Sequence, residues 1–213
     1  ISTQWRSSAA SDVYRRQGYS IAATVVFTYV GLFGEYAVAG YGSATRIEQV
    51  VLLPILGINT AIISIIAQNI GAKYYDRVEQ SYFTSIKYGL FIMLIAGVVI
   101  FISADIVPKF FSSNPEVIMH GSMYLKISAF ILPAYPIFFL SNGFFMALKK
   151  SEKAMVNNIA RNVIVPVLSF YIAKYLNADF KTFFYIWAIF QWLISLMLVF
   201  YVKYYIKHKL ANI

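Results

Sequence analysis

The stretch EQVVLLPILGINTAIISIIAQNIGAK, residues 48–73, holds 24 uncharged residues between Glu48 and Lys73. A helix that crosses a bilayer needs about 20 mostly apolar residues, because each residue adds only about 1.5 Å to its length. The same count finds four more uncharged runs, of 18, 17, 22 and 21 residues, at 17–34, 88–104, 127–148 and 182–202. The pattern therefore predicts a series of membrane spans.

A sixth apolar run, from Ala154 to Ala173, is interrupted by Arg161 and three asparagines. With this run included, the sequence predicts an all-α bundle of six membrane helices, at about 18–34, 47–71, 84–104, 117–148, 155–175 and 181–205. Residues 1–17 are polar and basic and are predicted to form a separate N-terminal segment, with residues 18–213 forming one membrane lobe.

The composition also indicates a membrane protein. Of the 213 residues, 60% are hydrophobic and 13% are charged, and the mean hydropathy is +0.66. Soluble proteins average about 45–50% apolar and about 25% charged residues, so this chain lacks the polar surface that a water-soluble protein needs. Intrinsic disorder is excluded for the same reason.

The net charge of +9 is distributed unequally between the two sides of the predicted membrane. With six spans, 13 Lys and Arg residues fall on the side of both termini, and 5 fall on the other side. Since basic residues are retained in cytoplasmic loops, the sequence predicts a multi-pass protein of the cell membrane with both termini in the cytoplasm. These basic residues flank apolar runs and form no patch with interleaved aromatics, so the predicted partner is the lipid bilayer and not nucleic acid.

Residue patterns that carry enzymatic chemistry are missing from the sequence. It has no cysteine, its two histidines are 88 residues apart, and its nine acids lie at or beyond the predicted span ends. No metal-ligand spacing, glycine-rich phosphate loop or nucleophile motif occurs. We therefore expect no enzymatic activity, no catalytic residue, no metal and no cofactor.

Polar and helix-breaking residues inside the predicted spans indicate a candidate functional surface. In lipid, unpaired polar groups and broken helical hydrogen bonds are costly. The second, fourth and fifth predicted helices contain such residues, so we expect them to line a cavity or to pack closely, and the third and sixth to face lipid. The residues predicted for a substrate pathway are Pro54, Asn59, Asn142 and Arg161.

Several of these polar positions also have a structural interpretation. Gly57 and Gly143 are typical of close helix packing, and Gln68 and Asn69 lie where a helix end needs hydrogen-bonding partners. Arg161 either extends its side chain to the cytoplasmic interface or faces a cleft. The sequence leaves both interpretations open.

Two stretches of the second predicted helix resemble a known transporter family. AGYGSATRIE at 39–48 and AQNIGA at 67–72 are similar to the eighth helix of multidrug and toxin extrusion (MATE) transporters. In that family the helix ends in a glutamine-asparagine-x-glycine-alanine signature, which corresponds here to Gln68, Asn69 and Gly71.

Two further segments extend the resemblance. FSSNPEV at 111–117 is similar to the loop before the tenth helix of the family, and residues 133–150 are similar to the tenth helix and its cytoplasmic end. The similar segments together cover about 19–205. The resemblance implies a twelve-helix antiporter that exports organic cations or drugs in exchange for H⁺ or Na⁺. This chain would be its C-terminal lobe, helices seven to twelve, and the N-terminal six-helix lobe would be its missing partner.

Two alternatives to drug export stay open at this point. One is a flippase for lipid-linked saccharides of the same superfamily, which needs cationic residues facing the cleft, and Arg161 is the candidate for that role. The other is a truncated membrane fragment that does not transport.

A cation antiporter also needs an ionisable or ion-ligating group within the membrane. Glu48 is the acid closest to a cavity-like helix, but the predicted boundaries place it at the outer helix end, where it can pair with Arg46 or with a neighbouring helix. We therefore favour a structural role for Glu48 over ion coupling and expect the coupling site in the missing lobe. This chain alone is then expected to carry no ion-driven flux.

Single cysteines at Ser113 and Ser151 test the predicted topology, because the chain has no cysteine of its own. A membrane-impermeant maleimide applied to intact cells is expected to label Ser113→Cys and to label Ser151→Cys only after the membrane is opened. Labelling of both positions from the same side would contradict the six-span topology.

Overall fold

The computed structural model describes residues 23–210, and its side chains are described as far as residue 208. The predicted segment 1–17 and the start of the first predicted span lie outside the described residues. Every regular element in the described part is helical, which confirms the all-α prediction. The helices are α1 (23–31), α2 (Glu35–Val51), α3 (Leu53–Gly71), α4 (Tyr75–Ser103), α5 (Pro115–Ile131), α6 (Ala134–Ala147), α7 (Ser151–Ile159), α8 (Val165–Tyr175) and α9 (Phe180–Tyr205).

Three short irregular turns accompany these helices. A 3₁₀ turn, Val107–Phe110, precedes α5; a wider π turn, Ala160–Ile164, joins α7 to α8; and a second π turn, Ile206–Leu210, follows α9. Because α7, the π turn and α8 follow one another without a break, they form one long helix from Ser151 to Tyr175.

Within residues 23–210, four helices are long and apolar enough to cross a membrane, namely Leu53–Gly71, Tyr75–Ser103, Ser151–Tyr175 and Phe180–His208. The α5–α6 pair becomes a fifth if its two parts, bent by 53°, are counted as one span. The first of the six predicted spans, 18–34, is described only in part, and the described residues account for the other five.

The predicted start of the second helix, at residue 47, is wrong. Helix α2 begins at Glu35 and passes through Leu52 into α3, so Glu48 lies inside a helical segment and not at its end. The third helix also begins earlier than predicted, at Tyr75 and not at 84. In both cases the observed helix extends past charged residues, so a charge in the sequence does not mark the end of a helix.

The single helix predicted at 117–148 is also wrong, because the chain bends at Leu132 and Pro133 between α5 and α6. Proline has no N–H to continue the helical ladder, so carbonyl groups near the bend need other donors. Helix α9 supplies two donors to carbonyl groups on either side of the bend. Trp192 Nε1 donates to the Phe130 carbonyl at 2.9 Å, and Ser195 Oγ donates to the Ala134 carbonyl at 3.2 Å.

The buried apolar side chains form two clusters. One contains members of α1, α2, α5 and the start of α9, including Val30, Tyr41, Leu125 and Phe184. The other contains members of α3, α4, α6 and the end of α9, including Ile66, Tyr82, Phe144 and Tyr205. Along α9, the buried polar residue Gln191 lies between the part that belongs to the first cluster and the part that belongs to the second.

Helices α2 and α5 come close together at Gly40. A Cβ atom at this position would lie 2.6 Å from the Val117 carbonyl oxygen and 2.8 Å from the Gly121 nitrogen. Backbone atoms cannot move aside as a flexible side chain can, so the two helices pack closely because residue 40 is glycine.

Gly40→Ala is therefore expected to separate α2 from α5 and to lower the free energy of unfolding by about 1–3 kcal/mol. Thermal unfolding in detergent measures the change. Gly57→Ala is the matched control, because nothing lies within 4 Å of a Cβ atom there, and alanine favours helix more than glycine does. Equal melting temperatures for the two variants would contradict the close contact.

Candidate functional site

Glu48 is buried inside the bundle and is only 6% exposed. The buried residues of α2 are Ala37, Gly40, Tyr41, Ala44 and Glu48, which recur every three or four positions and so share one helix face. A carboxylate therefore occupies a position on the face that packs against α5.

Two tyrosine hydroxyls compensate for the burial of this carboxylate. Tyr124 on α5 donates to Glu48 Oε2, and Tyr135 on α6 donates to Glu48 Oε1 at 2.5 Å. Of the two pairings expected for Glu48, with Arg46 or with a neighbouring helix, the structure shows the second. Arg46 is exposed, and residues two apart on a helix do not face each other. Glu48 is instead bound from two other helices.

Arg161 is also buried, with 6% of its surface exposed. Its Nε donates to Gln191 Oε1 on α9 at 2.7 Å. Its guanidinium carbon lies 4.5 Å from the Tyr135 ring centroid and 4.4 Å from that of Phe138. The side chain thus lies in the bundle, and the ring faces and the amide replace part of the water that a cation loses on burial.

Tyr135 connects the two buried charges. Its hydroxyl contacts Glu48 while its ring lies under Arg161. Among the residues that the structure describes, the one direct ion pair is between Lys126 and Asp105, so Arg161 and Glu48 attract each other across Tyr135 without touching. We call Glu48, Tyr124, Tyr135, Arg161 and Gln191 the buried polar group.

The helix widens where it carries Arg161. Pro166, two residues into α8, has no N–H to offer the Asn162 carbonyl four positions earlier, and the chain forms the π turn Ala160–Ile164 there. Such turns are frequent at functional sites. The Asn162 Nδ2 atom is buried and has no hydrogen-bond partner within the described part of the chain.

Asn142 and Asn59 lie near each other where α6 packs against α3. Asn142 is 6% exposed, and its Oδ1 accepts a hydrogen bond from Asn157 Nδ2 at 3.2 Å. The Asn59 Oδ1 atom lies against the backbone of Gly143, so closely that a Cβ atom at residue 143 would collide with it. Gly143 therefore allows α3 and α6 to pack, which agrees with its structural interpretation.

The residues predicted for a substrate pathway are not on one surface. Pro54 is exposed, Asn59 is partly buried, and Asn142 and Arg161 are buried. The structure brings Asn59 close to residue 142 through Gly143 and places Arg161 in the buried polar group. A pathway role for these four residues stays a prediction.

The family signature lies at the end of α3. Asn69 Nδ2 donates to the Ile65 carbonyl at 2.9 Å, and Gln68 Nε2 is 3.5 Å from Ser64 Oγ. Gly71 is the last residue of α3, and the left-handed residue that follows is Lys73, with φ of 61°. Both amides thus contact their own helix.

Sequence reasoning missed Tyr124, Tyr135 and Gln191. The sixth predicted helix corresponds to α9, and the prediction that it faces lipid is wrong for the side that packs against the bundle. That side supplies Gln191 and the two donors at the α5–α6 bend. A lone glutamine within the uncharged run 182–202 was the available signal, since an amide in lipid needs a partner.

Comparison with known proteins gives a family match. The MatE family profile matches residues 17–171, more than half of the chain. The probable multidrug resistance protein YpnP of Bacillus subtilis (strain 168) is 26% identical over 150 residues, which are 70% of this chain and 32% of that protein. The FAD transporter of Shewanella oneidensis is 24% identical over 145 residues, which are 68% of this chain and 32% of that protein. The match spans about a third of the length of these relatives.

Solved structures share the fold. A MATE protein in complex with MaL6 superposes with a TM-score of 0.88 at 20% identity, over 96% of this chain and 46% of that chain. A MOP superfamily transporter from Pyrococcus furiosus superposes with a TM-score of 0.86 at 22% identity, over 91% of this chain and 44% of that chain. The chain thus corresponds to somewhat less than half of each of these structures.

Tyr135→Phe removes one donor to Glu48 and leaves a buried carboxylate oxygen without its partner, so we expect a loss of about 1–3 kcal/mol in the free energy of unfolding. Unfolding in detergent by increasing denaturant measures the loss. The matched control is Tyr205→Phe, because the Tyr205 hydroxyl is buried with no hydrogen-bond partner in the described residues. This control is expected to be neutral or stabilising, and an equal loss in both variants would contradict the assignment.

Proposed function

Because the chain belongs to the MATE family of membrane transporters, we propose that it is one lobe of a transporter that exports organic cations or drugs in exchange for H⁺ or Na⁺. The relative from Bacillus subtilis is named for multidrug resistance, which supports the substrate class. The second lobe is the proposed partner, since the chain matches less than half of each solved transporter structure named above.

The observation that carries the ion-coupling proposal is the burial of Glu48. In the interior of a membrane protein, a carboxylate is costly and normally marks an ion or substrate pathway. The earlier expectation that the coupling site lies in the missing lobe depended on Glu48 being at a helix end. With Glu48 inside the bundle, we propose that this residue takes part in coupling.

The contacts of Glu48 suggest how an ion would be taken up. In the described arrangement, two hydroxyl donors and the nearby Arg161 charge offset part of the cost of burying the carboxylate. If α6 moves away from α2, the Tyr135 hydroxyl leaves Glu48, and the Tyr124 hydroxyl is the donor that remains. The carboxylate then needs a new partner, and H⁺ or Na⁺ can provide it.

One exposed face of α3 fits the proposed pathway. Gly57, Thr60, Ser64 and Gln68 recur every three or four positions and are all exposed. Small and polar residues are suited to a neighbouring helix or to water and are poorly suited to lipid. We propose that this face, with Pro54 and Asn59, borders the pathway toward the second lobe, and that Asn142 and Arg161 lie behind it.

The flippase alternative receives less support. It needs a cation that faces a ligand, and the Arg161 guanidinium is already bound by Gln191 and covered by aromatic rings. No observation favours that alternative over antiport.

Transport by the complete protein, reconstituted in vesicles, tests the proposal. With an imposed H⁺ or Na⁺ gradient, accumulation of an organic cation such as ethidium is expected, and Glu48→Gln is expected to reduce it to the level of protein-free vesicles. Glu35→Gln is the matched control, because it removes an exposed acid from the same helix. Gradient-driven accumulation that persists in a folded Glu48→Gln protein would exclude Glu48 from coupling.

A further inference from the structure

A cavity of about 630 Å³ lies between α5, the start of α9 and the 3₁₀ turn. Three lysines and one acid contribute its charged lining, and they are Lys109, Lys126, Lys181 and Asp105. Aliphatic side chains of α5, such as Ile118 and Ile127, form much of the remaining wall. The cavity is therefore both cationic and apolar.

Two of the three lysines are available to an anionic ligand. Lys126 Nζ is paired with Asp105 Oδ2 at 2.8 Å, and Ser122 also donates to Asp105. These contacts hold the pKa of the Asp105 carboxyl below its usual range, so it stays ionised at neutral pH and keeps Lys126 occupied. Lys109 and Lys181 make no direct ion pair with the residues described between 23 and 208.

A separate groove of about 370 Å³ lies further along the same faces of α5 and α9. Its lining is apolar and comes from α4, α5 and α9, with Val98, Phe101, Phe130 and Trp192 among its members. On α5, Phe130 lies one turn beyond Lys126, and on α9, Trp192 lies three turns beyond Lys181. The groove therefore lies deeper in the bundle than the lysines.

We propose that the cavity and the groove together, which we call the seam, bind an anionic phospholipid. Its headgroup phosphate lies at Lys109 and Lys181, and an acyl chain lies along Phe101, Phe130 and Trp192. The lysines lie at the helix ends, where headgroups lie, and the apolar groove lies at the depth of the acyl chains. The positive charge of the cavity matches an anionic headgroup, and the apolar lining of the groove matches an acyl chain of the same molecule.

The same features disfavour other occupants. A free phosphate ion would use the lysines and leave the apolar groove unfilled. A helix of the second lobe packed into the seam would bury two ammonium groups without partners, which is costly. A phospholipid can pair its phosphate with the lysines of the cavity and fill the apolar groove with an acyl chain.

Photo-crosslinking in the complete protein tests the proposal. A photo-crosslinking amino acid is placed at the position of Phe130, whose side chain is 61% exposed. The protein is reconstituted in phosphatidylcholine that contains a minor fraction of phosphatidylglycerol, and the lipids attached after irradiation are identified by mass spectrometry. We expect phosphatidylglycerol to be enriched several-fold over its share of the bilayer.

Variants separate the possible sources of such a signal. The double variant Lys109→Gln and Lys181→Gln is expected to lower the enrichment to the bilayer share. Lys174→Gln, which removes an exposed lysine that does not line the cavity, is expected to leave it unchanged. No enrichment, crosslinks to the second lobe, or enrichment that persists unchanged in the double variant would each overturn the proposal. The readout is lipid composition, so it is independent of transport activity.

Discussion

The pairing of the Glu48 carboxylate with the hydroxyls of Tyr124 and Tyr135 is the interaction on which the interior of this bundle depends. A buried carboxylate loses the water that stabilises its charge, and its hydrogen bonds have to replace that water. Each carboxylate oxygen receives one hydroxyl, and the two hydroxyls come from different helices. Helices α2, α5 and α6 are therefore linked through a single acidic side chain.

Two proline-dependent irregularities bring the rest of the buried polar group together. The bend at Pro133 starts α6 in a new direction and places Tyr135 in its first turn, and the π turn before Pro166 carries Arg161. The bend and the π turn are both interruptions of regular α-helix, and α9 contacts each of them. Trp192 donates to a carbonyl at the bend, and Gln191 accepts a hydrogen bond from Arg161. Helix α9 thus stabilises both irregular segments.

The sequence allowed prediction of the all-α fold and of the family resemblance, because long apolar runs and the signature at the end of α3 are local features. It did not allow prediction of the buried polar group, because the group forms between distant residues. Glu48 and Tyr135 are 87 positions apart, and nothing in the spacing of charges separates a paired, buried acid from one at a membrane surface. The same ambiguity produced the wrong start of the second helix.

Tyr135 has a mechanical role that follows from its two contacts. Its hydroxyl compensates the negative charge and its ring compensates the positive charge, so any shift of α6 relative to α2 changes the surroundings of both charges together. Arg161 would keep Gln191 as a partner after such a shift, because that contact comes from α9. Glu48 would keep Tyr124 alone. The movement would therefore leave the carboxylate less compensated than the guanidinium, and a bound cation would be more favourable at Glu48 in the shifted state than in the described one.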